Sequence, residues 1–326
     1  MIKIYNLEAM TYTPFNAKNQ KSINYLFDHD IEFTRNPQEA DIFLINRFPN
    51  KKCIFPDVKK RWQMRQQNIS SRPVLLWTHE PHYDRHFTSE VRPSLLLAKV
   101  HIMNVYTRNI YFSNYMYVSK PQEPLSLIKD IETSVFAKKT IAFLATYVSN
   151  PWLKTLIKNG KDLNLTGIRQ KLALEGYQRG LVDIYGRGWP EGISLENSRK
   201  GNWHGRKSEI LEPYLFNICL ENTNYNYYCT EKIWDAIRSK CLPIYYGKGN
   251  KIYEDFSQDS LIDIANFTNP ILVFDYIKNM SKEEYITRLN KCIESYNNLI
   301  NINLEEKQYL KMLDEIIQKI RCIVNA

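Results

Sequence analysis

The stretch YLFNICLENTNYNYYCTEKIWDAIRSKCLPIYYG (214–247) constrains the fold more than any other part of this 326-residue chain. A continuous apolar run, Phe216–Leu220, ends in Glu221 and Asn222, and a loop rich in Asn and Tyr follows. Thr230 then stands where a helix N-cap belongs, Ile233, Trp234 and Ile237 recur at helical spacing, and a second apolar run closes at Gly247. A strand that is apolar throughout, with no alternation, is covered on both faces, which makes this a strand–helix–strand unit of a buried parallel sheet. In such sheets ligands bind beyond the carboxyl ends of the strands, and Glu221 and Asn222 fall at that edge.

The same alternation runs through the rest of the chain. Strands are predicted at 2–7, 41–46, 73–78 and 101–107, with helices at 22–28 and 57–67 between them. The run SKPQEP (119–124) breaks periodicity with two prolines and reads as an interdomain connection. Beyond it, strands are predicted at 139–145, 181–186, 216–221 and 242–247, with a further apolar segment at 260–267. Helices are predicted at 168–177, 206–214, 230–240 and 270–279, and after Ser281 the chain reads as helical to its end. This length suits two domains. The pattern divides into αβ halves at residues 1–135 and 136–285, followed by a helical segment at 286–326.

Composition narrows the function class. Hydrophobic residues at 44% and charged residues at 24% exclude a disordered chain. No window approaches the roughly 20 apolar residues of a membrane span, and MIKIYNLEAM reads as a first buried strand, not a secretion signal. The six cysteines are scattered, several inside apolar runs, as reduced core thiols are. A cytoplasmic setting is therefore expected, which also strips meaning from the Asn-x-Ser/Thr sites at Asn68, Asn164, Asn266 and Asn279. A net charge of +9 suggests an anionic partner: nucleic acid, a nucleotide or an acidic membrane face. With no basic run and no RNP, KH or helix-turn-helix signature, a nucleic-acid-binding protein is the lesser alternative.

Lys232 favours the nucleotide. The first turn of a helix presents unpaired N–H groups and partial positive charge, so Glu231 is favoured there and a cation is not. A lysine at that point makes sense if an anion such as phosphate occupies the site; the plain reading is a side chain extended into water.

These residues resemble the α-1,3/1,4-fucosyltransferases of glycosyltransferase family 10, bacterial type. The resemblance rests on Glu221-Asn222, Tyr228-Cys229-Thr230-Glu231-Lys232 and Pro243-Ile244-Tyr245-Tyr246-Gly247. Upstream, Ser149-Asn150, Ile168-Arg169 and Val182-Asp183-Ile184-Tyr185-Gly186 match as well, so it covers roughly 140–250. It implies the α/β GT-B glycosyltransferase fold: two Rossmann-like domains, an N-terminal acceptor-binding one and a C-terminal GDP-sugar-binding one, with a cleft between them and C-terminal helices. It also implies transfer of L-fucose from GDP-fucose, with inversion, to the 3- or 4-hydroxyl of an N-acetylglucosamine residue in a glycan. A role in bacterial surface-polysaccharide or lipopolysaccharide assembly, or in protein glycosylation, would follow. No metal and no cofactor beyond the GDP-fucose donor is implied; another GDP-sugar or acceptor on the same fold is the nearest alternative.

Carried over by position, the resemblance gives Arg169 and Lys232 to the diphosphate, Glu231 and Asn222 to ribose or fucose hydroxyls, and Tyr228 to the nucleotide pocket. Thr230, Asn150, Tyr185 and Gly186 would complete the donor site. The family usually has Tyr-Lys-Phe before the strand where this chain has Tyr214-Leu215-Phe216, so one basic contact is missing or comes from Lys207 or Arg206. Inversion by direct displacement needs a base for the acceptor hydroxyl. The family places Glu-Ser-Pro after an N-domain strand; here PVLLWTHEP offers Glu80-Pro81, with His79 as the fallback.

Other constellations are weaker. His79, His82 and His86 lie within eight residues, but the zincin pattern would need His at position 83, which is Tyr, and Pro81 disfavours helix at Glu80. An acceptor-binding loop that includes His79 and His82 is expected, and no metal site. Asp28-His29-Asp30 reads as a connecting turn, and Gly186-Arg187-Gly188 as a turn or a close approach to phosphate or sugar. The terminal helix could rest on a membrane at its inner face, but acidic residues interrupt its basic side, and packing on the other domain is the favoured expectation.

Overall fold

The computed structural model describes the chain except residues 8–9, 12, 47–71, 82–86, 88, 92–98, 105–113, 115–122, 151–154, 198–202 and 302–303. It divides into two compact units, Met1–Ile110 with Glu306–Ala326, and Tyr111–Glu305.

The first unit holds β1 (Ile2–Asn6), α1 (Gln20–Asp28), β2 (Ile31–Phe33), β3 (Ile42–Ile45), β4 (Val74–Trp77), β5 (Glu90–Val91) and β6 (Val100–Met103). The sheet runs β2-β1-β3-β4-β6-β5, parallel except for the edge strand β5. Every residue of β3, β4 and β6 is buried, as continuous apolar strands require. Asn19 starts α1 by accepting the Ser22 N–H on its side chain at 3.2 Å. Strand 101–107 is shorter than predicted and begins one residue earlier; helix 57–67 and Cys53 lie outside the described residues.

The second unit holds α2 (Thr133–Ala137), β7 (Ile141–Leu144), the hairpin β8 (Ile157–Lys158) and β9 (Lys161–Asp162), α3 (Thr166–Gln178), β10 (Val182–Tyr185) and α4 (Trp203–Leu211). It continues with β11 (Phe216–Ile218), α5 (Glu231–Arg238), β12 (Leu242–Tyr245), β13 (Ile262–Asp263), α6 (Val273–Asn279) and α7 (Lys282–Asn301). The five-stranded sheet runs β10-β7-β11-β12-β13, all parallel. In chain order that is second, first, third, fourth, fifth, a doubly wound arrangement whose direction reverses between β7 and β11. The apolar segment 260–267 gives only a two-residue strand, because the Asp263 side chain caps a 3-10 turn at Ile264–Asn266. Cys219, Cys229, Cys241 and Cys292 are buried free thiols in this core.

The predicted C-terminal helical segment is two helices with different allegiances. The first, α7, belongs to the second unit, whereas Glu306–Ala326, nearly all of α8 (Leu304–Val324), groups with the first. Within that unit Tyr309 meets Asn19 and Ser22 of the α1 start, and Asp314 accepts from the Tyr25 hydroxyl at 2.8 Å. Leu313, Ile316, Ile317 and Ile320 are buried, so the apolar stripe considered for a membrane is covered by the protein itself. Among the described residues no helix is long and apolar enough to cross a membrane. The division after residue 135 is also displaced. Residues 124–132 belong to the second unit, where Asn297 pairs with both the N–H and C=O of Leu125, and Asn290 does the same for Ile128.

Candidate functional site

The reversal between β7 and β11 leaves a crevice at the carboxyl edge of the second sheet, the place where open αβ sheets receive ligands. A pocket sits there, lined by Phe143, Leu144 and Ala145 from β7 and by Asn217, Ile218, Cys219 and Leu220 from β11. Three cations from three helices complete it: Arg169 of α3, Lys207 of α4 and Lys232 of α5.

Each cation has a fixed geometry. Arg169 lies in the first turn of α3, is 9% exposed, and donates from a guanidinium nitrogen to Leu220 O at 3.5 Å. Lys207 Nζ donates to Glu231 Oε1 at 3.1 Å and Asp235 Oδ2 at 3.0 Å. Lys232 Nζ donates to Glu221 Oε2 at 2.7 Å and to Thr230 Oγ1 at 2.6 Å. Glu221 is 2% exposed and also receives the Thr230 N–H at 2.7 Å and the Thr230 hydroxyl. Thr230 does occupy the N-cap position of α5, but its hydroxyl makes no cap and serves this cluster instead.

The charges support one another. Burial alone would lower the pKa of the Lys232 ammonium, yet the carboxylates of Glu221 and Glu231 hold it above its ordinary value. Burial pushes the Glu231 carboxyl up, but Lys232 and Lys207 outweigh it and hold the group well below the usual carboxylate range. Both therefore stay ionised at neutral pH. The Cys219 thiol beside them is pushed far up, chiefly by burial, and stays neutral.

Four buried side-chain oxygens near this edge have no hydrogen-bond partner among the described residues: Thr146 Oγ1, Thr166 Oγ1, Asn222 Oδ1 and Thr223 Oγ1. Thr146 follows β7, Thr166 opens α3, and Asn222 and Thr223 follow β11. Buried polar atoms left unpaired are costly, and all four can accept a donor such as a hydroxyl.

The structure thus unites Arg169, Thr230, Glu231 and Lys232, with Asn222 next to them in the chain. Of the two basic residues offered in place of a lysine at position 215, Lys207 lines the pocket, whereas Arg206 is tied to Glu196 and Glu209. Tyr228, Tyr185, Gly186 and Asn150 are not among the residues that line this pocket. The Tyr228 side chain is buried at 6% exposure and is not part of the pocket wall. Tyr185 bonds the Tyr214 hydroxyl at 2.7 Å, and Tyr214 in turn donates to Asp183. Gly186 has φ 134°, and a Cβ there would lie 2.0 Å from Ala145 O, so glycine is what lets β10 run close to β7. Asn150 is exposed on the loop after β7, a loop held by Gln170, whose amide exchanges two hydrogen bonds with the Val148 backbone.

Sequence reasoning passed over Glu221 as a site residue, and Asn217 and Asp235 altogether. For Glu221 there was a signal, a carboxylate ending an apolar strand at the sheet edge.

In the first unit, Glu80 follows β4 at the carboxyl edge, one strand removed from the reversal between β1 and β3. Its side chain is exposed and its N–H donates to Thr78 Oγ1 at 3.1 Å. His79 packs edge-on against Trp77 with ring centres 4.7 Å apart. His82 and His86 lie outside the described residues. Among the described residues no three His, Cys, Asp or Glu side chains converge as metal ligands.

Residues 162–294 match the C-terminal domain model of glycosyltransferase family 10 (fucosyltransferase). Over 105 residues the chain is 38% identical to the α-(1,3)-fucosyltransferase FucT of Helicobacter pylori, a stretch covering 32% of this chain and 20% of that protein. Over 77 residues it is 34% identical to a GDP-fucose protein O-fucosyltransferase 3 of Xenopus laevis, covering 23% and 16%. The matched stretches are thus a fifth or less of these relatives. A crystal structure of an α1,3-fucosyltransferase aligns with 96% of this chain and 90% of its own, at 18% identity and a TM-score of 0.46. The segment 162–294 that matches this model carries all three cations of the pocket, Arg169, Lys207 and Lys232.

Proposed function

We propose that the protein is an inverting fucosyltransferase that moves L-fucose from GDP-fucose to the 3- or 4-hydroxyl of an N-acetylglucosamine residue, without a metal ion. The observation that carries this reading is the convergence of Arg169, Lys207 and Lys232 at the β7/β11 reversal. As the glycosidic bond breaks, negative charge grows on the departing diphosphate, and cations already fixed there stabilise it without reorganising. The start of α5 adds its own partial positive charge. Asn222 and its neighbours Thr146, Thr166 and Thr223 supply acceptors for ribose or fucose hydroxyls, and Glu231, kept ionised, supplies another.

Direct displacement also requires a group to take the proton of the acceptor hydroxyl, and we assign it to Glu80. An exposed carboxylate at the end of a buried strand is anchored by its backbone and open to an acceptor. One relative is named for a protein acceptor, so a protein side chain in place of the sugar is the second reading, on the same donor site.

Two measurements test this. In a thermal-shift screen GDP raises the melting temperature more than UDP, ADP or CDP, because a ligand that binds only the folded state stabilises it by mass action. Equal shifts remove the guanine assignment, and no shift removes the donor site. Glu80→Gln keeps the shape but cannot take a proton; its transfer rate should fall about 10²–10⁴-fold while GDP-fucose affinity by calorimetry is unchanged. A variant retaining more than about a tenth of the rate makes His79 the next residue to replace.

A further inference from the structure

The cation nearest the α5 start does not stand alone. Lys232 is held by a carboxylate from a different element, and that carboxylate is nearly inaccessible to solvent. Glu221 comes three residues after β11, at the sheet edge, and its two oxygens receive the Thr230 N–H, the Thr230 hydroxyl and the Lys232 ammonium, all at 2.7–2.9 Å. Thr230 closes the triangle by accepting from Lys232 at 2.6 Å. A long lysine side chain loses considerable rotamer freedom when held in one place. Here Glu221 and Thr230 supply that ordering from the protein itself.

We propose that Glu221 is a positioning residue, a buried carboxylate that holds the Lys232 ammonium and the Thr230 hydroxyl at the pocket so that an incoming diphosphate meets a cation already in place. The proposal rests on the donor reading above for its ligand, but not for its geometry. The sign of its effect is informative. If Glu221 were only a counter-charge competing with the ligand, removing it would strengthen anion binding. If it positions Lys232, removing it weakens binding even though a negative charge has been taken away.

The groups facing Lys232 bear on the test. Glu221 comes from the β11 edge, Glu231 from its own helix and Arg169 from α3; Lys207 of α4 is bonded to Glu231, and the Cys219 thiol is neutral. Glu221 is the largest of the influences that keep Lys232 protonated. Its loss leaves burial and Arg169 opposed by Glu231 alone.

The experiment compares the parent, Glu221→Gln, Lys232→Met and the double variant. Trace labelling with acetic anhydride across pH, read by mass spectrometry on the Lys232 peptide, reports the protonation of Lys232 without any nucleotide. The labelling curve of Glu221→Gln should move down by about one pH unit or more; a curve identical to the parent's overturns the proposal. GDP affinity by calorimetry should fall about 10-fold or more in Glu221→Gln and be indifferent to that change once Lys232 is Met. Stronger GDP binding, or an equal loss in both backgrounds, also overturns it. Should Glu221→Gln fail to fold, Glu221→Asp keeps the charge and shortens the reach. It should label like the parent and bind GDP more weakly, and parent-like affinity counts against positioning. If the parent itself does not bind GDP, the donor reading fails, and the labelling curves still decide the role of Glu221.

Discussion

At the scale of single residues, two adjacent basic residues of α4 have different surroundings. Leu215 is buried and carries no charge, while Lys207, one helix earlier, projects into the pocket from α4. Its neighbour Arg206 is engaged by Glu196 and Glu209 on an exposed surface. Lys207→Ala should therefore weaken GDP binding by about 10- to 100-fold, in part because Glu231 and Asp235 lose their partner in front of an anion. Arg206→Ala should change it by no more than about two-fold, since exposed ion pairs contribute little. Similar losses from both variants, by calorimetry at one salt concentration, would sink the distinction. What was legible here follows from locality. Lys232, Thr230 and Glu231 announce themselves because a helix start is a local pattern, and Arg169 entered through resemblance. Glu221 was visible as an edge carboxylate but not as the partner of Lys232, because the direction of a side chain is set by how the end of β11 and the start of α5 meet in space. Tyr185 likewise entered through resemblance, and nothing local reveals that its hydroxyl meets that of Tyr214, twenty-nine residues later.

At the scale of elements, α5 and α3 make opposite cases. The first is strongly amphipathic, with Ile233, Trp234, Ala236 and Ile237 buried, and its limits were predicted to within two residues. The second has almost no apolar stripe, because its buried side includes Thr166, Arg169 and Gln170, which serve the pocket and the Val148 loop. A helix that turns polar groups inward for function gives up the pattern by which it would be recognised. It compensates with a close approach at Gly176. A Cβ there would lie 2.3 Å from Val182 Cγ2 and 2.6 Å from Phe274 Cζ, and both neighbours are buried. Alanine is the better helix former by about 1 kcal/mol, whereas overpacking at such distances costs about 2–3 kcal/mol. Sterics win, and Gly176→Ala should lower stability by about 1–2 kcal/mol in chemical denaturation. A variant more stable than the parent would show that α3 can move off β10.

At the scale of the whole molecule, two parallel αβ units could be read from alternating apolar runs, since a buried strand and an amphipathic helix are each visible within a short window. The membership of chain segments could not. Glu306–Ala326 groups with the first unit although it ends the chain, and 124–132 groups with the second although it follows a proline-rich run. Both outcomes depend on partners far away in sequence, which periodicity does not report. The 124–132 segment has a further consequence. Asn290 and Asn297 are seven residues apart on α7, a rise of about 10.5 Å. Leu125 and Ile128, three residues apart, span about 10 Å only when the chain runs nearly straight. The two asparagines therefore act as the marks of a ruler, and because they touch only main-chain N–H and C=O groups, they measure length and ignore spelling. Gln170 treats Val148 in the same manner beside the pocket. Among homologues, the residues that grip should stay fixed and the number of residues between grips should not change, while the held positions should be limited only by their packing on the core.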